Sequence, residues 1–326
     1  DLHLHGLRPG LQAAGGLLSY LADTQPSLTH AHIRRPWIPL LEHEMQLDQT
    51  TLRNLEVLKP VSEQRQSPTL LTTLDKTKTP MGTRLLRQWI VRPLTQVAAI
   101  QLRQEAVQEL VINLGLRMTV RDNLKSVHDL ERLNSRIVLE VANPRDLITL
   151  HRSLESLLSL QQILQGFQSA MLQTIYAAWD PLLDVSSWIV DSIIPNPPLS
   201  AKEGGILCEG VNAELDELRM LSKEGTRLLA EMETRERHRT GIESLKVKFN
   251  QVFGYYIEVT KANSSRVPAD YHRKQTLVNA ERFTTSELQD LEGRLSSADQ
   301  KMKNLEGQLF GEIRLRVASA TNRIQG

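Results

Sequence analysis

The chain has 326 residues, 24% of them charged and 40% hydrophobic, which suits two or three folded domains with a real core and excludes a disordered polymer. A net charge of +1 excludes a uniformly basic protein, so any polyanion site has to come from local charge separation. The single cysteine, Cys208, excludes an internal disulfide and every multi-cysteine metal pattern, and it fits a reducing compartment, the cytoplasm by expectation.

No run of about 18 apolar residues occurs and the N-terminus lacks a signal pattern, so no membrane association is expected. The chain starts on Asp1 rather than Met and stops at "TNRIQG", which reads as a fragment cut from something larger. "DLHLH" places His3 and His5 at alternate positions, where a strand could aim both at a cation, with Asp1 or a distant carboxylate completing the site. The other histidines (30, 32, 43, 128, 151, 238, 272) are scattered, so neither a metal site nor catalysis is expected of this chain.

Up to about residue 190, helices are predicted from capping residues followed by proline: Ser67-Pro68, Thr79-Pro80, Asn143-Pro144 and Asp180-Pro181. Apolar residues then recur at three- and four-residue spacing, as in Met81, Leu85, Leu86 and Trp89, or Leu147, Leu150, Leu154, Leu157 and Leu158. The expectation is a bundle of antiparallel helices with Trp37, Trp89, Trp179 and Trp188 in its core. Lys76 and Lys78 precede a helix N-terminus and read as a solvated cap rather than an anion site. "SIIPNPPLSAKEGGIL", 192–207, reads as an extended connector with room for a short strand.

Beyond it, Val211, Leu215, Leu218, Ser222, Gly225, Leu229 and Met232 form one heptad seam, and Leu288, Leu291, Leu295, Ala298, Met302, Leu305 and Leu309 form another. Two such arms around an insert predict an antiparallel helical hairpin with the insert at its tip. Arg235, Arg237, His238 and Arg239 before Gly241 close the first arm, and Thr284 with Glu287 forms a predicted capping box for the second.

The insert alternates. Leu245, Val247 and Phe249 interleave with Lys246, Lys248 and Asn250, and after "QVFG" Tyr255, Ile257 and Val259 interleave with Tyr256, Glu258 and Thr260. Gly254 supplies a turn or bulge, and a third strand is expected near Gln275–Val278. Residues 241–286 hold seven Lys or Arg against four Asp or Glu, so the positive field concentrates there. The aromatics Phe249, Phe253, Tyr255, Tyr256, Tyr271 and Phe283 read as the core of a small sheet. For the lysines two readings stand: a solvated strand face, or contacts to the phosphates of a nucleic acid.

Together, "LDQTTLRNLEVL" at 47–58, "LDKTKTPMGTRLLRQWIVRPL" at 74–94, "GVNAELDELR" at 210–219 and the run "LKVKFNQVFGYYIEVTKAN" with "RKQTLVNAERFTTSEL" resemble the MutS family of DNA mismatch-repair proteins. The resemblance spans nearly the whole chain. It implies a mainly α fold: 1–9 as the end of a connector domain, 10–240 as core and outgoing lever helix, 241–286 as an inserted β-rich DNA clamp, and 287–326 as the returning lever helix. The family's phosphate-loop pattern does not occur in this sequence, and the family's N-terminal mismatch-reading domain with its Phe-x-Glu wedge is read as missing from the fragment, so the fragment itself is expected to take no cofactor and hydrolyse nothing. ATP and Mg are expected in the full-length protein.

By that resemblance the phosphate-contact candidates are Lys246, Lys248, Asn250, Arg273, Lys274, Asn279 and Arg282, with Arg266 as a weaker choice. Arg282 has a second reading, bracing the sheet against Glu281 or Glu287, and Asn279 has one as a turn cap. The implied partners are double-stranded DNA, a second MutS-type subunit and downstream repair factors, in the cytoplasm or on a bacterial nucleoid. The rival reading is a coiled-coil scaffold in which "RERHR" and the alternating lysines serve solubility.

Overall fold

The computed structural model describes residues 8–24, 43–61, 67–250 and 254–325. His3 and His5, Trp37 and the Phe253 turn lie outside the described residues. The chain divides into two compact units, residues 1–191 with 311–326, and residues 192–310.

The first unit is helical: α1 (Arg8–Thr24), α2 (Gln49–Asn54), α3 (Leu70–Leu74), α4 (Pro80–Val91), α5 (Val97–Ile112), α6 (Leu114–Leu124), α7 (Leu130–Val138), α8 (Pro144–Leu164), α9 (Ala170–Ala178) and α10 (Leu183–Ser192). Two of the four capping pairs act as expected. Thr79 Oγ1 accepts from Gly82 N with Pro80 in the first turn, and Asn143 forms a reciprocal capping box with Asp146 over Pro144. The other two shift. Thr69, not Ser67, caps α3 through a box with Thr72, while the Asp180 carboxylate accepts from Leu182 N two residues on, in an Asx turn, and α10 begins only at Leu183.

Leu133, Ile137, Leu147, Leu150 and Leu154 are almost fully buried, as the apolar periodicity of α7 and α8 requires. Trp179 packs against the buried cluster of Ala106, Leu164, Phe167 and Leu172, as expected of a core residue, whereas Trp89 and Trp188 are half-buried. The Arg103 guanidinium lies 3.7 Å from the Trp89 ring centroid and Arg316 lies 4.1 Å from that of Trp188, so a cation lies over each of these two rings.

The second unit carries α11 (Ala213–Thr240), four strands and most of α12 (Ser286–Ser319); α13 (Thr321–Gln325) ends the chain. At 28 and 34 residues the two long helices run about 42 and 51 Å. Their antiparallel pairing is read from partners: Arg219 bonds Glu306, Gly225 meets Leu295, and Arg235 bonds Glu287. Gly225 permits the close approach, since a Cβ there would overlap the Leu295 side chain. The 192–207 connector contains one isolated antiparallel bridge, Ile193 with Leu207.

α12 is capped one residue later than predicted, by Thr285 Oγ1 accepting from Leu288 N at 3.2 Å. Glu287 does not reach back as a capping box; it pairs with Arg235 of α11. No helix among the described residues is long and apolar enough to cross a membrane.

Candidate nucleic-acid interface

Between α11 and α12 lie β1 (Lys246–Asn250), β2 (Gly254–Thr260), β3 (His272–Thr276) and β4 (Ala280–Thr284), an antiparallel sheet of order β1-β2-β4-β3. The expected third strand starts earlier, at His272. A fourth strand went unread because "AERFT" turns a carboxylate, Glu281, to the inner face.

Period-two alternation gives the sheet two unlike faces. Inward, Ile257, Val259 and Phe283 join Leu245 and Tyr271 and meet Leu229 and Met232 of α11 and Leu288 of α12 in one buried cluster. Each such side chain contributes roughly 1.5–3 kcal/mol by burial. Outward, the register aligns Lys246 with Glu258 and Lys248 with Tyr256 across β1 and β2, and Glu258 with Arg282 across β2 and β4.

Glu258 is the hub of this outer face. Lys248 Nζ lies 2.8 Å and Arg282 Nε 3.8 Å from its carboxylate. The hydrogen bond to Glu258 holds the Lys248 ammonium above its ordinary pKa, keeping it charged. Arg282 also donates to Gln275 Oε1 at 2.8 Å and lies 4.3 Å from the Tyr256 centroid. Three cations around one carboxylate leave a net positive surface, with Lys246 exposed and Lys248 45% exposed at its side chain.

Polar contacts bolt the sheet to its helices. Arg237 Nε donates to Leu245 O at 2.7 Å, and Glu233 accepts from Val247 N at 2.7 Å, which pairs one amide on the free edge of β1. Tyr271 OH donates to the buried Glu236 at 2.8 Å, and burial followed by that bond pushes the phenol pKa up. Arg239 spans Glu236 and Asp270 at 2.7 and 3.0 Å. At α12, Glu292 accepts from Tyr255 N at 3.1 Å and pairs with Lys274 at 3.5 Å. Gly254, at φ +69°, is required there because a Cβ would overlap the Glu292 carboxylate.

The family model for MutS domain III matches residues 50–326. The chain belongs to the MutS family. It is 45% identical to the DNA mismatch repair protein MutS of Caldicellulosiruptor bescii over 96% of this chain, and 46% identical to those of Solibacter usitatus and Pelotomaculum thermopropionicum, each also over 96%. The chain spans 36% of the length of each of these relatives.

Within this MutS chain the eight residues carried over from the family do not share one face. Lys246, Lys248, Asn250 and Arg282 lie on the outer face by register. Arg273 stands opposite Phe283, with its guanidinium 5.9 Å from that ring, and pairs with Glu281 at 3.1 Å; Lys274, in the β3 bulge, turns to Glu292. Arg266 donates to Gly241 O at 3.2 Å, where it serves the C-terminus of α11. Asn279 sits exposed in the β3–β4 turn, its carbonyl accepting from Lys261 N at 3.2 Å. Arg282 braces Glu258, not Glu281 or Glu287.

Sequence reasoning missed Glu233, Glu236 and Glu292. The only sequence signal is weak: Glu233 and Glu236 are interspersed in "ETRERHR", whose arginines are tied down at this junction. No group of three His, Cys, Asp or Glu among the described residues could hold a metal ion.

Proposed function

We propose that this chain is the core, lever and clamp portion of a MutS-type mismatch-repair protein, and that the outer face of its sheet grips duplex DNA through phosphates without reading bases. The observation that carries the reading is the face built by Lys246, Lys248 and Arg282 around Glu258, cationic and rigid at strand spacing. Within 192–310, the polar bolts to α11 and α12 support transmission: a displacement of the sheet moves the helix ends with it. In the whole protein those helices would couple DNA to the family's ATPase domain, which takes ATP and Mg. The sequence here holds no phosphate-loop pattern to bind them, so the ATP-hydrolysing step is assigned to that domain. A second subunit closing round the duplex and downstream repair factors complete the partners, in the cytoplasm or on the nucleoid.

The scaffold alternative draws on Met220 and Leu221, 70% and 52% exposed on α11. One experiment separates the two: titration of the chain with duplexes of unrelated sequence across a salt series. Clamp action gives sequence-indifferent affinity that falls with salt, by roughly 0.9 log units per log unit for each phosphate neutralised. Absence of salt-dependent binding would leave the scaffold standing.

A further inference from the structure

Beyond the lysines, the outer face carries a cluster of neutral hydrogen-bonding side chains. Ser244, Thr260 and Asn263 form a closed triad: Asn263 Nδ2 donates to Ser244 Oγ and to Thr260 Oγ1, both at 3.2 Å, and the two hydroxyl oxygens lie 3.4 Å apart. Register fixes its place. Thr260 follows Glu258 by two on β2 and pairs with Ala280 of β4, so the triad forms the row beside Lys246 and Glu258, roughly 7 Å along the strand. Ser244 and Thr260 are exposed, as is the next residue, Lys261.

Donor arithmetic makes the triad more than a turn brace. Both Asn263 amide hydrogens are used, and each hydroxyl oxygen already accepts one. At most one of the two O–H groups is spent on the other, over a long contact, so at least one remains for an acceptor in solvent. Its oxygen is held in place by the amide, which lowers the cost of ordering it on binding. A phosphate lying over Lys246 would find that hydroxyl in the adjacent row.

We infer that Ser244 and Thr260, positioned by Asn263, are uncharged phosphate-contact residues that extend the cationic face by one row. The inference rests on the DNA-gripping reading and adds to it the chemistry of a neutral donor beside the ammonium groups. A charged contact releases counterions and sets the salt slope; a hydroxyl contact adds affinity without changing that slope.

The test is titration of the full chain with a mixed-sequence duplex of about 30 base pairs at several salt concentrations. The double variant Ser244→Ala, Thr260→Ala should bind about tenfold more weakly at every salt concentration, with the slope of log affinity against log salt unchanged. The hydroxyl-keeping exchange Ser244→Thr, Thr260→Ser should recover most of that loss. Unchanged affinity in the alanine variant overturns the inference, as does a shallower slope, or a loss that the exchange does not recover. If the unaltered chain shows no salt-dependent binding, the DNA reading itself falls and this inference with it; a flattened salt slope in Lys246→Glu beside a silent alanine variant removes the hydroxyl contact alone.

Discussion

Lys246 is exposed and Lys248 shares Glu258 on the outer face, whereas Arg273 and Lys274 pair with Glu281 and Glu292. Charge reversal should separate the pairs. Lys246→Glu with Lys248→Glu should flatten the salt slope by about 2, with a small loss of melting temperature from the like charge that Lys248→Glu turns toward Glu258. Arg273→Glu with Lys274→Glu should first lower the melting temperature, because a like charge then faces each carboxylate. Equal slopes for the unaltered chain and the Lys246/Lys248 variant would sink the outer-face assignment. Gly254→Ala adds a Cβ into the Glu292 carboxylate at a left-handed φ of +69°, and should cost roughly 2 kcal/mol or more in denaturant unfolding. The sequence suggested a turn glycine at this position but gave no hint of Glu292, which lies 38 residues further on.

Among elements, α11 and α12 are held at the end away from the sheet by one buried carboxylate. Glu306, fully buried, accepts from Arg219 at 2.8 Å and from the Gly205 and Ile206 amides, and Arg219 also donates to Leu207 O at 2.7 Å. Removing one partner strands the other, so Arg219→Ala should destabilise this unit by about 3–5 kcal/mol in denaturant unfolding, with Glu306→Gln milder because it keeps one acceptor. In the other unit, Asp129 caps α7 and takes the Arg84 guanidinium at 2.7 Å. That hydrogen bond holds its carboxyl below the ordinary 3.8. A depressed carboxylate stabilises the fold above its unfolded pKa, and the gain drains away as pH falls through the folded value. Acid unfolding followed by circular dichroism should therefore set in at higher pH in Arg84→Ala than in the unaltered chain. An unchanged acid midpoint would remove Arg84 as the cause. Helix existence was plain from periodicity, but two of the four proline-marked starts moved, because Thr69 with Thr72 offered a complete capping box and the Asp180 carboxylate turned to Leu182 N and to Arg323, distant in sequence.

For the whole molecule, replacing 241–286 with a short turn should abolish salt-dependent duplex binding while α-helical circular dichroism is retained. The Arg235–Glu287 pair brings the two helix ends close enough to be joined. Retained binding in the deletion would move the DNA site to another part of the chain. What the sequence determined by itself was everything with a short repeat: heptads at 3.5 residues specify paired helices, alternation at two specifies a sheet with one apolar face, and ordered motifs over nearly the whole chain specify the family. What only the tertiary structure decided was which charges stand free and which are spent. Lysines and arginines look alike in a string, but Glu233, Glu236, Glu281 and Glu292 select their partners across folded distances, and a register displaced by a single bulge at Lys274 sends two of the expected phosphate ligands to the inner side.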